Sequence, residues 1–274
     1  MKSALLGYTG FVGSNINSKS NSAFQDVYNS KNLKELKGKE YDLIVSAACP
    51  AKKWIANKEP EQDLQAINDI ISCLDGVKCN TFVLISTIDV YPVLIDKDED
   101  FDCSTLDNHA YGKNRLYLEK WVASKFANHV IFRLPALFGP NLAKNYIYDL
   151  MHDNNLNQIN PNTSFQWYNV ERLYDDIQTV LKYNKEHQGS EIRVVNMFPQ
   201  PLHTTAFVKA LFSEKADKLK NPMNENVIDF SYNLKTKYAK LFGSDVDGYI
   251  DNATNVLNQI INYVNSEMSQ QKSK

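Results

Sequence analysis

Residues 7 to 15 read Gly-Tyr-Thr-Gly-Phe-Val-Gly-Ser-Asn, directly behind the short apolar run Ser3-Ala4-Leu5-Leu6. A strand, a glycine-punctuated turn and a helix start in that order restrict what the chain can build. Side chains must be absent where backbone N–H groups approach a phosphate, and the helix N-terminus adds partial positive charge there. The expectation is a dinucleotide pyrophosphate site with Gly7, Thr9, Gly10, Phe11, Val12 and Gly13 as its contacts. The spacing is G-x-x-G-x-x-G, not the commoner G-x-G-x-x-G, and an ordinary tight strand-helix turn would need the same residues.

The rest of the composition narrows the class. The chain has 274 residues and a formal charge of −2, enough for one large domain or a nucleotide domain with a smaller partner. No basic excess points to nucleic acid. The apolar stretches Leu43–Cys49 and Phe82–Ile85 are too short to cross a bilayer, so no membrane partner is expected. The N-terminus enters a glycine turn at once, unlike a secretory signal. Cys49, Cys73, Cys79 and Cys103 lack C-x-x-C spacing and suit reduced thiols in a cytoplasmic protein. The five histidines are scattered, so no metal is expected.

Along the first half, apolar runs alternate with amphipathic stretches. The pattern predicts strands at Ser3–Leu6, Ala23–Tyr28, Leu43–Ala47, Phe82–Ile85 and His129–Phe132. Helices are predicted at Val12–Lys19, Leu33–Leu36, Pro60–Leu74 and Tyr111–Phe126. Such alternation gives an α/β fold, a doubly wound parallel sheet with helices on both faces. Residues 1–142 are expected to form the nucleotide-binding domain. Residues 143–274 are expected to hold a small substrate-binding part, a segment returning to the sheet over about 163–198 with a strand at Glu191–Met197, and a C-terminal helix over 245–266. That helix is read from the stripe Val246, Ile250, Ala253, Leu257, Ile260 or Ile261 and Val264, capped by Ser244 or Asp245 and followed by a frayed tail.

Three features map to the carboxyl ends of the strands, where such sheets bind ligands. In Val45-Ser46-Ala47-Ala48-Cys49-Pro50-Ala51, a strand runs into small residues. These let a cofactor lie against the backbone, or simply pack a strand end tightly. In Leu84-Ile85-Ser86-Thr87-Ile88-Asp89-Val90-Tyr91, an apolar strand ends in two hydroxyls. A hydroxyl there can bond a substrate oxygen on which charge develops, or satisfy a strand end. In Tyr111-Gly112-Lys113-Asn114-Arg115, Tyr111 and Arg115 share one helix face. A fixed cation beside a phenol favours the phenolate and makes tyrosine useful in proton transfer, though a plain Tyr–Arg stack has the same spacing.

Together, these pieces resemble the extended short-chain dehydrogenase/reductase family of NAD(P)-dependent sugar-nucleotide epimerases, dehydratases and reductases. Asp42–Ala51, Asn68, Arg133–Pro140 and Phe165–Asp176 add to the likeness, which covers residues 1 to 200 well and the remainder in outline. The resemblance implies a Rossmann-type fold, with Thr87 as the active-site hydroxyl and Tyr111 as the general acid/base. Arg115 stands where the family has a lysine that binds the nicotinamide ribose and lowers the tyrosine pKa. Arginine can still lower that pKa, but its planar fork does not reproduce the ribose contact. Ile88 replaces the acid that follows the threonine in family dehydratases, and Asp89, one residue further on, should point elsewhere. This argues against 4,6-dehydration. Ala136 replaces an asparagine that contacts the substrate diphosphate in many relatives.

The resemblance also places substrate contacts in the irregular region 141–176, where Asn145, Gln166 and Trp167 are candidates beside Thr87 and Tyr111. Ala47, Ala48, Ser86 and Arg115 join the cofactor contacts. After the second strand the chain reads Asn29-Ser30-Lys31. No acid blocks a 2′-phosphate there, and Lys31 could pair with one, which tilts the cofactor from NAD(H) toward NADP(H). The expected activity is that of a nucleotide-sugar epimerase or 4-keto-sugar reductase, with a homodimer implied by the family. The alternative is a non-catalytic dinucleotide-binding sensor or assembly protein.

Overall fold

The predicted apolar runs become the strands of one parallel sheet. The structure is a computed structural model that describes residues 2–219 and 230–272. In chain order its elements begin β1 (Ser3–Leu6), α1 (Phe11–Lys19), β2 (Asp26–Tyr28), β3 (Glu40–Ser46), α2 (Lys53–Lys58), α3 (Pro60–Leu74), β4 (Lys78–Thr87), α4 (Ala110–Lys125) and β5 (His129–Leu134). They continue with β6 (Ala136–Phe138), α5 (Tyr146–Met151), β7 (Ser164–Phe165), β8 (Trp167–Asn169), α6 (Leu173–Glu186), β9 (Val194–Asn196), β10 (Leu202–His203), α7 (Thr204–Leu211) and α8 (Ala253–Lys272).

The main sheet has the order β2-β1-β3-β4-β5-β9, and every pairing is parallel. Helices cover a parallel sheet on both faces, so the centres of its strands are apolar. Leu5, Ile44, Val83 and Phe132 are accordingly fully buried. The chain leaves β1 toward β2 on one side and returns to β3 on the other. That reversal makes the carboxyl ends of β1 and β3 a topological switch point, the usual ligand crevice of such sheets.

The chain forms two units. The first takes the N-terminal segment to Val93, Glu99–Leu134 and Glu171–Asn196; the second takes Leu94–Asp98, Pro135–Val170 and the described residues from Met197 onward. The second unit has its own core, in which Phe138, Trp167, Phe207 and Ile260 are buried, and two small two-stranded sheets. The sequence-based division at 142 falls later than the change of unit at Leu134.

Several local expectations differ from the structure. Asn21 and Ser22 adopt positive φ after α1, so the chain joins the sheet only at Asp26, not Ala23. Leu33–Leu36 is a single 3₁₀ turn. The segment Asn141–Thr163 contains α5 and a further 3₁₀ turn. The C-terminal helix begins at Ala253, because Gly248 has φ +78° and Asn252 caps the helix by accepting from Asn255 N at 2.8 Å. Val246 and Ile250 therefore precede it. It then runs to Lys272, where a frayed tail was expected after Ser266.

Candidate active site

The glycine turn lies at the switch point. Gly7 has φ +81°, and a Cβ there would lie 2.4 Å from Ala47 O. A Cβ on Gly13 would lie 2.1 Å from Gly7 O. These two glycines are therefore demanded by the fold itself. Gly10 is different: its nearest protein atom would be Gly7 O at 3.4 Å, an ordinary contact. Nothing in the chain requires a glycine there, yet Gly10 is the exposed N-cap of α1, and no side chain caps that helix. Phe11, Val12 and Gly13 form its first turn, whose N–H groups have no intrahelical acceptor. Thr9 is exposed beside it. An open, side-chain-free helix N-terminus at a switch point fits a pyrophosphate.

Asn29, Ser30 and Lys31 adjoin this turn, since Gly7 N donates to Tyr28 O at 2.7 Å. Asn29 locks its own turn by accepting from Lys31 N at 2.9 Å, and its backbone N donates to Asn32 Oδ1 at 2.7 Å. Ser30 and Lys31 are exposed. Ala47 and Ala48 pack against Gly7, so their small size serves the closure of two strand ends.

Thr87 ends β4, and Tyr111 begins the second residue of α4. Asn108, just before α4, donates to Asp89 O at 2.9 Å and Val90 O at 3.2 Å. This ties the helix start to the strand end and sets the Tyr111 hydroxyl close enough to Thr87 for the threonine to favour its ionised form. Tyr111 is buried, and burial pushes its phenol up to about 12 against the attraction of Arg115. Relative to an ordinary tyrosine, that disfavours the phenolate by about 3 kcal/mol.

Arg115 acts on Tyr111 in the expected direction, lowering the phenol's pKa, but burial is the larger effect. Its guanidinium stacks 4.1 Å from the centre of the Tyr111 ring. Both terminal nitrogens bond inside the protein. They grip Asp63 at 2.6 and 2.8 Å, and one also donates to Pro50 O. Nε is buried without a partner. Arg115 thus ties α4 to α3 and to the loop after β3, and it underlies the ring of Tyr111. Three of the four terminal N–H groups are used in these bonds, and the side chain is almost wholly buried.

Other side chains of the site were not anticipated. The Asp89 carboxylate bonds Lys53 Nζ at 2.7 Å, faces His109 Nε2 at 3.9 Å, and acts electrostatically on Tyr111. Asn57 accepts from Tyr111 N at 2.9 Å, so α2 docks onto the start of α4. Cys49 also lies near Tyr111 and Arg115, and burial raises its thiol to about 11. The signals were present but weak: Lys53 and Asn57 share an i,i+4 face, and His109 occupies an N-cap position two residues before Tyr111.

Four predicted contacts also have structural partners. The Ser86 hydroxyl donates to Glu119, part of a buried network with Arg133 and Tyr91. In the second unit, Asn145 caps α5 by accepting from Ile147 N and Tyr148 N, and it donates to Leu137 O. Gln166 is 1% exposed and donates to Pro199 O and Leu234 O while accepting from Leu234 N. Trp167 is core, packed between Phe165 and Phe207. These bonds and contacts give each of the four residues a structural role of its own.

No protein-family model and no curated protein matches the chain. Solved structures do. An NAD-dependent NDP-hexosamine 5,6-dehydratase involved in tunicamycin biosynthesis aligns with a TM-score of 0.72 at 16% identity, covering 98% of each chain. A protein solved with UDP-glucose and NAD aligns at 0.70 and 13%, over 100% of both chains. A dTDP-4-dehydrorhamnose reductase from Clostridium acetobutylicum aligns at 0.68 and 12%, over 96% of this chain and 99% of that one. At these identities the likeness is one of fold: an α/β Rossmann-type architecture shared with sugar-nucleotide enzymes. No helix among the described residues is long and apolar enough to cross a membrane.

Proposed function

We propose that the protein is an NAD(P)-dependent oxidoreductase of the extended short-chain type that reduces a keto group on a nucleotide-linked sugar. One observation carries this reading. The Thr87–Tyr111 couple stands at the carboxyl edge of the same sheet whose open glycine turn fits a pyrophosphate. A nicotinamide dinucleotide held by Gly10 and the first turn of α1 would supply the hydride. The chain's own residues do the rest. Thr87 bonds the carbonyl oxygen and orients it, and Tyr111 gives its phenolic proton to that oxygen as negative charge develops. A buried phenol held near 12 is the protonated form this direction needs. An epimerase must also take a proton from a hydroxyl, which this phenol is poorly poised to begin.

Between the dinucleotides, the turn after β2 supports NADP(H). Asp26, the acid of that strand, is taken by the Tyr41 hydroxyl, and Lys31 stands exposed two residues past Asn29. Two fold neighbours use or hold NAD, so the ribose turn is what a binding comparison must probe.

The test is a thermal-shift titration with NADH and NADPH, followed by turnover of UDP- and dTDP-4-keto-6-deoxyglucose by wild type and Tyr111→Phe. The expected result is a larger shift with NADPH and at least a hundredfold loss of turnover in the variant, with cofactor binding retained. Turnover unchanged in Tyr111→Phe would remove Tyr111 as the acid, and dinucleotide binding with no turnover by the wild type would move the reading to a non-catalytic sensor.

A further inference from the structure

The acid/base couple has a polar neighbour that proton transfer to a ketone does not use. Lys53 on α2 and His109 at the start of α4 converge on the Asp89 carboxylate, at 2.7 and 3.9 Å. The Asn57–Tyr111 bond and the 6.3 Å separation of the His109 and Tyr111 rings place this group beside the reacting tyrosine. All of these residues belong to the first unit.

The three side chains are unequally exposed. Lys53 is 40% exposed and His109 34%, but Asp89 only 14%. The carboxylate is therefore the floor of the cluster, and the two nitrogen groups are its open face. The tautomer of His109 is also set. Nδ1 accepts from Gly112 N at 3.0 Å, so in the neutral ring the proton resides on Nε2. Burial and the nearby Lys53 charge both lower the His109 pKa and keep the ring neutral. Both nitrogen groups are donors: an ammonium that gives one N–H to Asp89, and an imidazole N–H. A sugar hydroxyl, which donates as well as accepts, uses such a pair poorly. An acceptor-only anionic group uses both, with charge-assisted bonds about twice as strong as neutral ones.

We infer that Lys53 and His109, positioned by Asp89, form a two-donor subsite for an anionic oxygen group of the substrate, and that this group is a carboxylate on the sugar. The inference rests on the nucleotide-sugar reading above and adds to it a substrate class, sugars carrying an acid near the reacting carbon. The competing source of the same chemistry is the substrate diphosphate.

Calorimetric titration of the full chain at saturating NADPH distinguishes these, using UDP, UDP-glucose and UDP-glucuronate, and the corresponding dTDP series. Wild type is expected to bind the glucuronate at least tenfold more tightly than the glucose compound. Lys53→Met should remove that preference and leave the glucose compound within about twofold. His109→Asn keeps an acceptor for Gly112 N, loses only the Nε2–H, and should weaken the glucuronate alone by about threefold. An unchanged NADPH affinity shows that each variant is folded. Equal losses for UDP, UDP-glucose and UDP-glucuronate assign the donors to the diphosphate and overturn the carboxylate. Equal wild-type affinity for the two sugars overturns the subsite while leaving the nucleotide-sugar reading intact. Failure of every nucleotide to bind overturns both.

Discussion

Arg115 lies four residues after Tyr111, and its partners explain why the position is an arginine. A lysine offers one compact ammonium. The guanidinium fork spans both oxygens of Asp63 and reaches the Pro50 carbonyl as well. The pair is almost wholly enclosed, with side-chain exposures of 3% and 6%. Removing one member of such a pair strands the other charge, at a cost of about 3–5 kcal/mol. Asp63→Asn is accordingly expected to lose about that much stability in urea denaturation at pH 7. Tyr111→Phe, which keeps the ring under which Arg115 packs, should lose far less. The pair also fixes a pH dependence. Against the cost of burial, bonds from Arg115 and Asn114 hold the Asp63 carboxyl below its ordinary 3.8. A depressed folded-state pKa means the unfolded chain takes up the proton first. The contribution is therefore complete above pH 3.8 and is lost as pH falls through the folded value. Wild type should show that acid-limb decline, and Asp63→Asn should show less of it.

At the scale of elements, the first fifty residues were legible because their signals are local. A buried strand, glycines at a turn and a helix start leave marks within a few positions of one another. The same glycines also make a test of ligand demand against fold demand. Gly13→Ala drives a methyl to within 2.1 Å of Gly7 O, so the melting temperature should fall sharply. Gly10→Ala meets nothing closer than 3.4 Å, and an alanine N-cap costs about 1 kcal/mol. Its expected phenotype is a fold near wild type in melting temperature, with the dinucleotide-induced shift gone. Retention of the NADPH shift in Gly10→Ala would remove the pyrophosphate from this turn. By contrast, α2 was not legible. Its residues Lys-Trp-Ile-Ala-Asn-Lys are too few to show a period, and Lys53 and Asn57 read as solvated surface. Only the return of α4 to the end of β4 gives them partners. The apparent start of α8 failed for a related reason. Val246 and Ile250 keep the apolar spacing by coincidence, and Ile250 is buried through a bond from its N to Phe198 O, outside any helix.

Across the whole molecule, what escaped the sequence is what depends on distant chain. Gln166 sits in a stretch that resembles substrate-contacting segments, and its amide suits a ligand in the abstract. In the structure it serves backbone groups 33 and 68 residues away, donating to Pro199 O and Leu234 O and accepting from Leu234 N. No local pattern announces such partners. The two readings of Gln166 predict opposite outcomes for Gln166→Leu, which keeps the volume and loses every bond. As a substrate contact, the residue would leave the melting temperature almost unchanged and weaken nucleotide-sugar affinity. As an internal strut, its loss leaves buried backbone groups unsatisfied at about 1–3 kcal/mol for each. The expected total of about 3 kcal/mol or more lowers the melting temperature by about 6 °C or more in a chain of this size. Differential scanning calorimetry reads this directly, and the dinucleotide-induced shift, which reports the glycine turn of the first unit, is expected to persist in the variant. An unperturbed melting temperature would favour the substrate contact.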